Sequence, residues 1–285
     1  MLALVALAAA ACARITGGGG SDSRIEYPRG SEDLVLQVHS GGGFVPVHWH
    51  LREHPHFSLY GDGRVITQGP QIAIFPPPAL PALLERRVSD EGIQAILRAA
   101  REAGLHGRDR RFEVFEVTDL PTTTFTVVTD GQAHETAVYG LGEVPDDLPV
   151  ADREERRTLF EFQSKLLDLE SWLPEGSVSL DRPYEYDRLR VFVVPAGEGG
   201  GDYGGDEELQ PSRMDWPLPE ALSAFGEPMP NTPDIRCGAV EGPDLNEVLT
   251  AAGKANVETL WRSGGTVHLI AFVPLLPGEP PCPEQ

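Results

Sequence analysis

The stretch HWHLREHPH, from His48 to His56, carries four of the chain's eight histidines, and His39 lies just upstream. Imidazole nitrogen is a good ligand for zinc or copper. On an extended strand His48 and His50 point to one face, because side chains alternate, and both would grip one ion. His54 and His56 would join them if Pro55 turned the chain back. Glu53 is the one acid at a third-ligand spacing. Pro46 and Pro55 bracket the stretch, and proline in a sheet belongs at edges or bulges. The segment therefore reads as a solvated edge whose imidazoles bond to water, with no dedicated metal. The alternative is a metal-binding protein or metal-dependent enzyme built on His48–His56.

Other polar groups form no set that spacing can identify. Thr122–Thr124, Ser58 and Ser263 offer hydroxyls, yet no G-x-S-x-G elbow occurs and no nucleophile has a traceable base. Alternating threonines are ordinary in a strand. Asp62 in Gly61-Asp62-Gly63 is explained by a tight turn. There is no phosphate-binding glycine loop opening a helix. GEGGGDYGGDEE spaces Asp202, Asp206, Glu207 and Glu208 among glycines but lacks the ordered calcium-loop register, so it reads as a mobile acidic loop. Asp119, Glu135 and His268 are distant residues whose convergence would make a hydrolase. No catalytic, cofactor-binding or metal residue is assigned.

The chain begins MLALVALAAAACARITGGGGSDS. Leu2–Ala11 is an apolar run too short to span a bilayer but matching the core of an export signal. Ala9, Ala10 and Ala11 directly before Cys12 resemble a bacterial lipoprotein cleavage site, in which the cysteine becomes the lipid-bearing N-terminus. Two features depart from that pattern. No basic residue precedes the run, and alanine stands at position 9 where leucine is usual. The glycines that follow suit a tether. Residues 1–12 are thus expected to be a signal ending at the lipidated Cys12, and 13–30 a flexible tether. Cys237 and Cys282 are the two cysteines that remain, and an even pair outside the cytosol points to a disulfide.

Net charge is −21. That argues against nucleic acid and anionic membrane surfaces, both of which need a basic face. Membrane contact is then expected through the N-terminal lipid alone. Of 23 basic residues only Lys165 and Lys254 are lysine, a bias expected of a G+C-rich genome.

The elements read as α+β, with antiparallel hairpins packed against helices in two small units. Residues 31–175 form hairpin, helix, hairpin, helix. FSLY and RVIT alternate around Gly61-Asp62-Gly63, with IAIF as their partner strand. FPPPALP is a stiff connector. Ser89 caps a helix that Gly104 stops. TTTFTVVT and HETAVYGL flank Asp130-Gly131, and a helix runs from about 152 to 172. Residues 176–285 form a smaller α+β unit: strands RLRVFVVP, IRCGAV and TVHLIAFVPLL, a helix opening at Pro243, the acidic loop and the disulfide.

This layout resembles uncharacterised secreted lipoproteins of G+C-rich Gram-positive bacteria. The residues that carry the likeness are FSLYGDGRVI, DLPTTTFTV with the following VYGLG, and W-R-S-G-G with VPLLPGEPPC near the C-terminus. The resemblance implies architecture and compartment but no activity. The expected function is that of a non-enzymatic envelope protein, anchored to the outer face of the cell membrane, that binds another surface component or a ligand.

Overall fold

A computed structural model describes residues 24–113, 118–143, 148–196 and 211–283. Cys12 and the acidic glycine-rich loop lie outside the described residues. The fold is α+β, with an eight-stranded and a six-stranded sheet. Among the described residues no helix is long and apolar enough to cross a membrane.

The first sheet contains β1 (Leu34–Gly41), β2 (Phe57–Tyr60), β3 (Arg64–Gln68), β4 (Leu83–Arg87), β5 (Arg110–Phe112), β6 (Thr122–Thr129), β7 (Gln132–Tyr139) and β8 (Arg182–Pro183). Their order across the sheet is β5-β7-β6-β1-β2-β3-β4-β8. Both expected hairpins form. Gly63 adopts φ +85°, and the Asp62 carboxylate accepts from the Arg64 N–H at 3.1 Å, closing the β2–β3 turn. Asp130 and Gly131 both take positive φ, the conformation that matches a two-residue turn to strand twist.

The segment IAIF is not a strand. Ile72, Ile74 and Phe75 are exposed, and β3 pairs instead with β4, whose sequence is LLERR. Glu85 disguises that strand: it is buried, and Arg182 of β8 pairs with it. Nor does a tether extend to residue 30. Ile25 and Tyr27 are buried in the first core, and Gln94 bonds both the N–H and the carbonyl of Ile25.

Helices α2 (Asp90–Glu102) and α3 (Val150–Leu167) cover one face of this sheet. Ser89 Oγ accepts from the Gly92 N–H at 3.2 Å, as its capping role requires. Ile93, Ile96 and Leu97 of α2 and Leu159, Phe162 and Leu166 of α3 meet Val38, Leu59, Phe125 and Val138. Helix α3 stops at Leu167, and a 3-10 turn at Leu169–Ser171 carries the chain on to Trp172. Ser89→Ala is expected to lower stability by about 1 kcal/mol, the usual worth of an N-cap. Urea denaturation checks this, and an unchanged midpoint would show the cap to be idle.

The second sheet contains β9 (Arg188–Pro195), β10 (Arg213–Asp215), β11 (Glu227–Met229), β12 (Thr232–Glu241), β13 (Leu260–Ser263) and β14 (Thr266–Pro274), in the order β10-β13-β14-β9-β12-β11. Helix α4 (Gly242–Ala252) lays Leu245, Val248 and Ala252 on it. Trp261 is fully buried and meets Trp216 and Phe272 edge-on, with centroids 6.1 and 5.5 Å away. Cys237 and Cys282 form the expected disulfide, with Cα atoms 6.0 Å apart.

The opposite faces of the two sheets take residues from each other's half of the chain. Leu276, just past β14, packs with Tyr60, Ile66 and Leu83. Leu51 packs against Phe192, Ala271 and Val273. Ala79, between β3 and β4, joins the second core. This interlocking places the histidine segment at the junction.

Candidate functional site

Pro46 opens the histidine segment, and Val47–His50 form one helical turn, α1, rather than a strand. A helix advances about 100° per residue, so residues two apart diverge instead of sharing a face. His48 and His50 accordingly find different partners. His48 Nε2 lies 3.2 Å from Glu258, and His50 Nδ1 lies 3.0 Å from Glu53. Among the described residues no three His, Cys, Asp or Glu side chains are placed to hold one metal ion.

The expectation of a solvated edge also fails, most clearly at His54. It is only 6% exposed. Its Nδ1 lies 2.7 Å from the Arg52 carbonyl, so Nδ1 carries the proton and donates. Its Nε2 is buried and has no hydrogen-bond partner among the described residues. The His54 carbonyl accepts from Gln68 Nε2 at 3.0 Å. Burial is the main cause that pulls the His54 pKa down to about 4. The Arg190, His39 and Arg52 charges add to it, and the bond to the Arg52 carbonyl opposes it. The ring is thus neutral at pH 7, with a lone pair on Nε2. Burial likewise lowers His39 and His56.

Arg52 ties the junction together. Its Nη1 donates to the Ala79 carbonyl at 3.1 Å, and its Nη2 donates to the carbonyls of Val257 and Ile270. Burial pulls its pKa down to about 10, against the attraction of Glu258, so it stays a cation at neutral pH. Its Nε is buried and, like His54 Nε2, has no partner among the described residues.

Both residues line a cleft of about 320 Å³. Trp49, Pro78, Ala79, Val257 and Phe272 supply apolar walls. Ser40, Glu53, His56, Gln68 and Gln71 supply polar groups. The loops that enter and leave this lining expose large apolar side chains. Phe44 lies between Ser40 and Trp49 and is 90% exposed, and Phe75 lies between Gln71 and Pro77 and is 81% exposed. A concave apolar pocket with a few polar groups is the usual form of a small-molecule site.

A larger hollow of about 450 Å³ is lined by Arg64, Tyr184, Arg188 and Glu279. Its groups are already engaged with neighbours. Arg64 holds Asp62 and the Ser31 carbonyl, Tyr184 donates to the Leu275 carbonyl, Arg188 donates to the Glu279 carbonyl, and the Glu279 carboxylate faces Arg190. The cleft at His54 is smaller, but two residues that border it, His54 and Arg52, each hold a buried nitrogen with no partner among the described residues.

Several of the remaining polar candidates have structural partners. Thr123 shares a hydrogen bond with Ser40, Ser58 accepts from Gln37, and Ser263 Oγ accepts from the Leu222 N–H. Glu135 is on β7 of the first sheet, whereas His268 is on β14 of the second and bonds Thr266. Asp119 sits at positive φ in the loop before β6. Arg52, Gln68 and the 77–81 segment carry no sequence mark of a site. The one signal for them is the proline run, which reads equally well as a connector.

Lowering pH from 7 should destabilise the fold through His54. The unfolded histidine takes a proton near pH 6.5, but the folded one resists until about pH 4. Acid therefore favours the unfolded state across that interval. Stability present above pH 6.5 declines to a loss of about 3 kcal/mol near pH 4. Urea titrations at pH 7 and pH 5 test this, and the slope should flatten in His54→Asn. An equal slope in both proteins would place the effect elsewhere.

No known protein family, curated protein or solved structure matches the chain.

Proposed function

We propose that this protein is a non-enzymatic component of the cell envelope, anchored to the outer face of the membrane through lipid on Cys12, that binds a ligand or another surface component in the cleft at His54. Anchoring is supported by the apolar run before Cys12 and the glycine-rich stretch after it. An extracytoplasmic setting is consistent with the Cys237–Cys282 pair. One observation carries the binding reading: an apolar cleft at the junction of the two sheets is bordered by His54 and Arg52, each holding a buried nitrogen with no hydrogen-bond partner among the described residues. Polar side chains that border a concave apolar space and are not fully paired are a common feature of ligand sites.

Native mass spectrometry of protein extracted from its own membranes tests both halves. The expected spectrum has a chain beginning at Cys12 with a covalent lipid, and a further adduct that denaturation releases. A chain that retains residues ahead of Cys12 would sink the anchoring. A single mass unchanged by denaturation would sink the ligand.

A further inference from the structure

We infer that two apolar loops at one end of the first sheet dip into the surface of a zwitterionic lipid bilayer. This rests on the reading that lipid on Cys12 holds the chain at a membrane, and it adds a second contact beyond that lipid. Segment 42–47 leaves β1, and segment 69–77 leaves β3. Strands β1 and β3 flank β2 and both run antiparallel to it, so the two segments leave the same end of the sheet. Neighbouring strands lie about 4.8 Å apart, which sets the two roots about 10 Å from each other. Both segments adjoin one cleft, the first between Ser40 and Trp49 and the second between Gln71 and Pro77. Of the ten large apolar side chains exposed among the described residues, six are here: Phe44, Val45, Val47, Ile72, Ile74 and Phe75. Such a concentration marks an interaction surface, since exposed apolar residues are otherwise scattered singly.

The chemistry of the two segments decides the occupant. Neither contains an ionisable side chain, in a chain that is 24% charged. Gln71 is their one polar side chain, and its Nε2 already donates to the Gly69 and Ala82 carbonyls. A protein partner is ordinarily held by several hydrogen bonds and a polar rim around an apolar centre, and these segments offer no side chains for them. A second copy would bring another net charge of −21 against the first. Lipid asks only for apolar tips that reach about 5–10 Å, to the boundary of headgroups and acyl chains. Backbone N–H groups are costly to desolvate there, and the segments reduce that cost. Pro46, Pro70, Pro76 and Pro77 have no N–H, and the Ile74 N–H donates to the Ile72 carbonyl. Net charge then selects the headgroup, because anionic lipid would repel this chain and zwitterionic lipid would not.

The test uses the mature chain from residue 12 with Cys12→Ser. It keeps both cores and carries no lipid, so binding reports the loops and not the anchor. The chain is sedimented with phosphatidylcholine vesicles, and its hydrogen exchange on them is read by mass spectrometry. It should partition onto the vesicles, with slowed exchange in segments 42–47 and 69–77. Phe44→Asp combined with Phe75→Asp should weaken partitioning about a hundredfold, since burial of one phenyl ring is worth about tenfold or more. Both side chains are exposed, so the fold should tolerate the change. Phe160→Asp, on the exposed side of α3, should leave partitioning unchanged. Adding phosphatidylglycerol to the vesicles should weaken it. Three results would overturn the inference: no partitioning onto phosphatidylcholine, partitioning without protection of the two segments, or partitioning that the double variant retains. Tightest binding to phosphatidylglycerol would overturn it too. A dimer in solution that the double variant dissolves would assign the patch to a second copy instead. The anchor at Cys12 is judged separately, by the native mass of the membrane-extracted protein.

Discussion

Arg52→Ala should lower the free energy of unfolding by about 4 kcal/mol, a large fraction of the net stability of an ordinary folded chain. The guanidinium bonds carbonyls from three segments distant in sequence, at Ala79, Val257 and Ile270. A hydrogen bond from a charged donor contributes about 1.5–3 kcal/mol. Burying the cation offsets part of that sum. The remainder is still large, because alanine leaves buried carbonyls with no donor. Arg52→Lys should recover less than half of the loss, since one ammonium cannot span acceptors that a planar fork reaches. Urea unfolding monitored by circular dichroism measures both variants. A loss below about 1 kcal/mol for Arg52→Ala would mean that desolvation of the charge cancels its bonds. The junction of the two sheets would then be held by Leu51, Leu276 and their neighbours.

Removing the disulfide is expected to have a comparable effect through the unfolded state. The bridge closes a loop with a sequence separation of 45, for which the chain-entropy relation gives about 4 kcal/mol. Cys237 is also 2% exposed and packs with Phe192, Ile235 and Val273. Serine there would bury a hydroxyl, so the double variant Cys237→Ala with Cys282→Ala isolates the cross-link better. Its urea midpoint should fall, and the denaturant slope should rise because the freed chain exposes more surface. Reduction of the native protein should reproduce the change. If the double variant is as stable as the parent, the closed loop restrains little in the denatured ensemble.

Features governed by neighbouring residues were legible in the sequence. Asp130-Gly131 makes its hairpin because both positions tolerate positive φ. Ser89 caps α2 because the acceptor and the open N–H groups are three residues apart. The apolar period of α2 places Ile93, Ile96 and Leu97 on the first sheet. The disulfide was legible too, since two cysteines remained once Cys12 was set aside.

Where long-range pairing outweighs local pattern, the sequence misleads. IAIF has the look of a strand, but prolines follow it and its apolar side chains face outward. LLERR lacks the look of one, yet it pairs with β3, and its buried Glu85 is met by Arg182, nearly a hundred residues away. A local window contains nothing of that partner.

The histidine segment divides in the same way. Its sequence supplies imidazoles between two prolines, and nothing local states whether they meet water, metal or protein. Burial settles that, and burial depends on segments that fold over them from elsewhere in the chain. Gln68 holds the His54 carbonyl, the 77–81 segment walls the cleft, and Val257 of the loop before β13 and Phe272 of β14 complete it. Desolvation by those segments keeps His54 neutral and leaves Nε2 without a partner among the described residues. Sequence alone determined which groups were present, together with the turns, caps and covalent pair that depend on adjacent residues. Tertiary structure decided their surroundings, because dielectric environment and hydrogen-bond partners come from residues that meet only after the chain has folded.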